Sequence, residues 1–181
     1  MHLSQKVALN TLIQIITKII TVLFGFLTMV ILTRYLGSEG YGNYMYILTL
    51  VVLFGGFADW GTATIGVREA AKAGKKQALI LSNIFLARIF LALLGAVLMF
   101  SFSFFLPLRI SQGDLVRHGI LFGSFILILF ALKASFGIIF QTKLQMQKLA
   151  VADITSSVLI FVFSWLFIHL RLNLVYLIIA V

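Results

Sequence analysis

The sequence predicts an all-α bundle of membrane-crossing helices, and three observations carry that prediction. Hydrophobic residues make up 62% of the chain and charged residues only 10%, against roughly 45–50% apolar and 25% charged in soluble domains. Apolar runs recur at lengths near the ~20 residues that a helix needs to cross a ~30 Å hydrocarbon core. Turn-forming and charged residues collect between those runs, so the punctuation falls where the crossings should end.

Mean hydropathy is +1.14, and 18 phenylalanines add to the apolar surface. Fourteen Lys and Arg against five Asp and Glu give a net charge of +9. In a soluble protein such an excess would suggest nucleic acid. Here no strand, aromatic-basic platform or recognition-helix pattern is left to build such a site, so the charge is expected to set topology and to meet anionic lipid, and no nucleic-acid partner is expected. The chain has no cysteine, which excludes disulfides, thiolate catalysis and cysteine-based metal sites. The first apolar run is too long for a signal peptide and lacks a small-residue cleavage site.

Taken in order, crossings are expected over Leu9–Leu32, Tyr44–Ile65, Ala78–Phe105, Gly119–Phe140 and Val151–Ile168, with a sixth starting near Leu172. The first carries a stripe of Asn10, Gln14, Lys18, Thr21, Gly25 and Thr28, three or four residues apart, so one helix face avoids lipid. The second contains Gly55, Gly56 and Gly61 around a single acid, Asp59. Such glycines permit close helix approach or a bend. The third ends at Pro107, where a helix can stop without breaking.

Connections are expected at Gly37–Gly42, Gly66–Gln77, Pro107–Gly119, Gln141–Ala150 and His169–Asn173. All are short, as in a compact bundle. Tyr35, Tyr41, Tyr44 and Tyr46 read as an interfacial aromatic belt. Alternate connections hold Lys6, Arg68, Lys72, Lys75, Lys76, Lys143 and Lys148 on one side, against Arg34, Arg109, Arg117 and Arg171 on the other. Cytoplasmic loops are the richer in Lys and Arg, so the N-terminus is expected inside. The chain stops before the sixth run reaches crossing length. It therefore reads as the N-terminal piece of a longer protein, with residues 1–181 as one transmembrane unit.

Charges inside crossings are costly and usually face a bundle interior. Lys18, Asp59, Arg88 and Lys133 are the four expected there. Lys18 and Lys133 can either snorkel to headgroups or face a cavity. Arg88 lies about 15 Å along the third helix, near the midplane unless that helix starts later. Asp59 can pair with any of the three cations, bond the glycine-rich backbone or carry a coupling proton. Three cations to one acid would make a cavity net positive and suited to a phosphate or diphosphate. His2, His118 and His169 have no metal-spaced partner, and no paired carboxylates, nucleophile elbow or phosphate loop occurs, so neither enzyme activity nor a cofactor or metal is expected.

The segments TRYLGSEGYGNYMYILTL and GGFADWGTATIGVREAA resemble the N-terminal signature of polysaccharide biosynthesis membrane proteins, flippases of lipid-linked oligosaccharides within a larger exporter superfamily. The aromatic-Leu-Gly-x-x-Gly-Tyr-Gly turn is matched by Tyr35, Leu36, Gly37, Gly40, Tyr41 and Gly42. The Asp-x-Gly step is matched by Asp59 and Gly61, and the Val-Arg-Glu exit by Val67, Arg68 and Glu69. More loosely, the resemblance takes in the arginine of the third crossing and the segment FQTKLQMQKLAVAD.

The resemblance implies two pseudo-symmetric lobes of about twelve or more helices in all, a cationic cavity between them and alternating access. This chain would supply most of the N-terminal lobe, with the C-terminal lobe absent. It implies a polyprenyl-diphosphate-linked glycan as cargo, moved from the inner to the outer leaflet of the cytoplasmic membrane. Lys18, Arg88 and Lys133 would bind the cargo, and Gln14 and Asp59 would line the cavity. Gly37, Gly40, Gly42 and Gly61 would form turns or hinges. Membrane lipids and glycan polymerases or glycosyltransferases of the same pathway are the other expected partners. Two rivals stand beside it: a cation-coupled exporter of drugs or metabolites on the same fold, and a membrane-embedded glycosyl- or acyltransferase or a non-transporting assembly subunit.

Overall fold

The computed structural model describes residues 3–59, 61–105 and 113–170. Within them the chain forms five α-helices and no strand: α1 (Leu3–Asp59), α2 (Thr62–Lys72), α3 (Gln77–Phe105), α4 (Gly113–Thr142) and α5 (Met146–His169), with one 3-10 turn at Gly74–Lys76. Four stretches are long and apolar enough to cross a membrane: Ala8–Phe57, Gly74–Phe105, Val116–Thr142 and Met146–His169. The sixth run expected from Leu172, the stop at Pro107, and Arg109 and Arg171 lie outside the described residues.

The sequence predicts five full crossings where four stretches are found, because the first two run together as helix apart from one residue. Gly37, at φ 69° and ψ −177°, is the single non-helical position inside α1. That combination is open to glycine and strained for any residue with a Cβ. A straight α1 would be about 85 Å long and would hold Thr21 and Leu48 about 40 Å apart. Instead Thr21, Thr28 and Leu32 line one small cavity together with Tyr41, Tyr44 and Leu48. The two arms of α1, residues 3–36 and 38–59, therefore fold back on each other at Gly37.

The turn is shorter than the predicted Gly37–Gly42, since Gly40 and Gly42 are already helical. Gly40 is small for a different reason: a Cβ there would lie 3.1 Å from the Cβ of Leu36, across the break. Gly42 has open space around it.

The second predicted crossing, to Ile65, stops earlier, and the predicted loop from Gly66 is mostly helix. Gly61 adopts the left-handed conformation (φ 76°), which ends the run that began after Gly37. The Thr62 hydroxyl then donates to the Asp59 carbonyl at 2.7 Å, and the Ile65 amide to the Gly61 carbonyl at 3.1 Å, opening α2. Gly66 and Ala70 of α2 are buried while Arg68, Glu69 and Lys72 are exposed. The buried side rests on Ile84 of α3 and Ile138 of α4.

Small residues set how closely the helices approach. A Cβ on Gly95 of α3 would lie 2.9 Å from the Phe54 carbonyl oxygen, and one on Gly123 of α4 would lie 3.0 Å from Val51 and Met99. The second arm of α1 thus packs between α3 and α4, with Ile47, Val51, Met99, Ile120 and Leu127 in the core. The first arm pairs with α5, where Phe24 meets Phe161 edge to face. Helices α4 and α5 touch only sparingly, which leaves a cleft between these two halves of the bundle.

The distribution of polarity is the reverse of a soluble protein. Leu12, Ile19, Val22, Phe26, Leu86, Phe90, Val97 and Phe125 face outward, while Asn10, Thr17, Arg88, Ser124, Ser135 and Ser164 are buried. A large apolar exterior over buried polar groups requires lipid as the surrounding solvent.

Candidate functional site

The cleft contains two cavities joined at a shared wall. The first, about 380 Å³, lies between the first arm and α5 and is lined by Gln14, Thr17, Lys18, Thr21, Lys133, Met146, Leu149, Ala150, Asp153 and Ser157. The second, about 550 Å³, lies mainly between the second arm and α4 and includes Gly55, Gly56, Asp59, Arg88, Lys133, Gly137, Gln141 and Asp153. Lys133, Leu149 and Asp153 belong to both. A third cavity continues from the first past Thr21 and Ser157 toward Tyr41 and Tyr44.

Helical periodicity explains why these groups meet. Gln14, Lys18 and Thr21 of the first-arm stripe face the first cavity, and Thr21, Gly25 and Thr28 face the third. At the end of the stripe the Asn10 side-chain amide donates to the Leu144 carbonyl at 3.2 Å, fastening the first arm to the turn between α4 and α5. Thr17 and Thr28 donate to their own helix, to Ile13 and Phe24. On α5, Asp153 and Ser157 recur one turn apart and meet the stripe from the other side.

Arg88 is held by three side chains from three other helices. Its Nη1 donates to Asp59 Oδ1 and to Thr62 Oγ1, each at 2.7 Å, and its Nε donates to Ser135 Oγ at 3.2 Å. The Ser135 hydroxyl in turn donates to the Ala131 carbonyl at 2.7 Å. One guanidinium on α3 thereby ties together the end of α1, the start of α2 and the middle of α4. Its side chain is 2% exposed, whereas that of Asp59 is 56% exposed toward the second cavity.

Lys133 is bound much more lightly. Its Nζ lies 3.0 Å from Asp153 Oδ1, with the two side chains 49% and 33% exposed. Such open pairs contribute about 0.2–1 kcal/mol, while stranding a buried partner of a pair like Arg88–Asp59 costs about 3–5 kcal/mol. Arg88 is accordingly held firmly among three helices, and Lys133 is held by one half-open ion pair. Lys18 makes no ion pair among the described residues.

Of the residues singled out by sequence, Gln14, Lys18 and Lys133 share the first cavity, and Asp59, Arg88 and Lys133 share the second. Gly37, Gly40, Gly42 and Gly61 lie outside both. The expected balance of three cations to one acid is corrected, because Asp153 is a second acid in the cleft. With Asp59 occupied by Arg88 and Asp153 by Lys133, the uncompensated charge is that of Lys18. Asp153 was legible in principle: Asp153, Ser157 and Ser164 form a polar stripe at helical spacing on α5 that mirrors the one on α1. Ser135 and Thr62, the other partners of Arg88, carry no such signal, since isolated hydroxyls in apolar helices most often bond their own backbone.

Among the described residues no group of three or more His, Cys, Asp or Glu side chains is placed to hold a metal ion. A search of curated proteins and one of solved structures returned no match. The family model described as polysaccharide biosynthesis protein matches residues 5–181. That match runs through both arms of α1, Arg88 and the polar stripe of α5, and the chain belongs to the polysaccharide biosynthesis protein family.

Proposed function

We propose that this bundle contributes one lobe to a transporter that moves a polyprenyl-diphosphate-linked oligosaccharide from the inner to the outer leaflet of the cytoplasmic membrane. The observation that carries this reading is the first cavity, where the unpaired Lys18 and the lightly paired Lys133 face Gln14, Thr17, Thr21 and Ser157 between two apolar-backed helices. Cations suit the diphosphate, and the hydroxyl and amide groups suit sugar hydroxyls. Family membership supports the same cargo class, since its members are generally flippase-type, non-enzymatic transporters.

In this reading the arms of α1 are two crossings joined at Gly37, making five in all, and the N-terminus is cytoplasmic because the alternate connections that hold Arg68, Lys72, Lys75, Lys76, Lys143 and Lys148 are the richer in cations. The bundle acts as one lobe of a two-lobed transporter. The first arm and α5 shift against the second arm, α3 and α4, because the interface between α4 and α5 is thin. Arg88 keeps the break at Gly61 in shape while that movement occurs, rather than touching cargo.

The second acid in the cleft favours one rival, a cation-coupled exporter on the same fold. The two readings separate in cells that rely on this protein for surface polysaccharide. Lys18→Ala with Lys133→Ala lowers surface glycan at least tenfold if the cargo is anionic. Unchanged glycan, with altered resistance to cationic dyes, would establish the rival.

A further inference from the structure

The wall between the two cavities is formed by Leu149 and by one salt bridge. Lys133 and Asp153 line both, their contact is 3.0 Å, and both side chains reach open space. No other partner holds the Lys133 ammonium or the Asp153 carboxylate among the described residues. The other ion pair in the cleft is unlike it, since Arg88 has three hydrogen bonds and is buried. An anion entering the cleft therefore finds one cation that is free, Lys18, and one whose counter-ion is easily displaced.

We propose that Asp153 is a specificity-determining residue that occupies Lys133 until an anionic headgroup replaces it. This rests on the diphosphate cargo proposed above. A diphosphate offers more charge and more acceptor oxygens than one carboxylate, so it displaces Asp153, whereas a neutral sugar or a monoanion of carboxylate strength does not. Displacement also opens the part of the shared wall that the ion pair forms beside Leu149, so the 380 and 550 Å³ cavities communicate around the headgroup. Asp153 thus sets a threshold of anionic charge below which the cleft stays divided.

The test uses the purified protein in neutral detergent with farnesyl diphosphate as probe and farnesol as the uncharged control. Two readouts are taken: probe affinity, and the rate at which an amine-acylating reagent labels Lys133, followed by mass spectrometry. Asp153→Asn frees Lys133, so its labelling accelerates, farnesyl diphosphate binds about three- to fivefold more tightly, and bound probe protects Lys133. Asp153→Glu restores the pair and wild-type affinity, and serves as the fold control. Lys133→Gln weakens the diphosphate and leaves farnesol unchanged. Equal diphosphate affinity in wild type and Asp153→Asn overturns the competition while leaving the cargo reading intact. Absence of diphosphate binding in every variant overturns both.

Discussion

Arg88 and Asp59 meet at 2.7 Å, yet one is sealed inside the bundle and the other opens into the cleft. The pair is asymmetric, and so are the consequences of breaking it. Asp59→Ala strands a buried guanidinium and is expected to cost about 3–5 kcal/mol. Arg88→Met preserves volume and leaves a carboxylate that the cleft can solvate, so its cost should be nearer 1–2 kcal/mol, with the hydroxyls of Thr62 and Ser135 left to find other partners. The double variant should recover part of the Asp59→Ala loss. Thermal unfolding in detergent around this cycle checks it, and equal costs for the two single variants would show that Arg88 is not sealed.

Gly37 is the one position whose backbone requires glycine to fold α1 on itself. Gly37→Ala should lower stability by about 1–3 kcal/mol through strain at φ 69°. Gly42→Ala meets nothing within 4 Å in a helical backbone and should be neutral or stabilising by up to about 1 kcal/mol. The same unfolding measurement on both variants separates a turn at one residue from a flexible turn spread over Gly37–Gly42.

Much of the fold was legible because it depends on periodicity and length. The stripe does line the cleft from Gln14 to Thr28, with Asn10 and Thr28 buried and Gln14, Lys18 and Gly25 open to it, and the two arms of α1 fall on the two apolar runs. Three glycines and a tyrosine cluster look like a loop of six residues, yet helical geometry resumes immediately after Gly37. The second run ends earlier than its hydropathy suggests, because Ile65 and Val67 extend the apolar count past Gly61, whose left-handed conformation hydropathy does not detect. Asp153 lies near a predicted helix start, where an acid is unremarkable, so the stripe it shares with Ser157 and Ser164 gains its meaning from the opposing Lys133. Pairing between distant residues, such as Arg88 with Asp59, depends on helix rotation and approach and is not written in either helix alone.

Leu144 is a non-glycine residue in the left-handed region, at φ 53°, in the turn between α4 and α5. Leu144→Gly removes strain of about 1–2 kcal/mol and adds some unfolded-chain entropy, so a net change between zero and about 1 kcal/mol of stabilisation is expected. Asn10→Ala removes the side-chain bond to the Leu144 carbonyl and should cost about 0.5–1.5 kcal/mol. A loss of stability in Leu144→Gly would mean that the exposed leucine side chain contributes more than its backbone costs.

Gly95 fixes the approach of α3 to the second arm of α1. A methyl group there would press on the Phe54 carbonyl at 2.9 Å, a backbone atom that cannot swing aside. Gly95→Ala should therefore destabilise by about 1–3 kcal/mol, with Gly25→Ala, which has open space, as the silent comparison. Denaturant or thermal midpoints of the two variants read the difference.

In the proposed function Lys18 and Lys133 carry the anionic headgroup of a lipid-linked glycan through the cleft. The most direct measurement places the protein in vesicles with a fluorescent polyprenyl-diphosphate oligosaccharide and follows its movement between leaflets with a membrane-impermeant quencher. Wild-type protein should expose the probe on both leaflets, and Lys18→Gln with Lys133→Gln should slow that movement at least tenfold while leaving the unfolding midpoint unchanged. Equal rates in wild type and the double variant would contradict the claim.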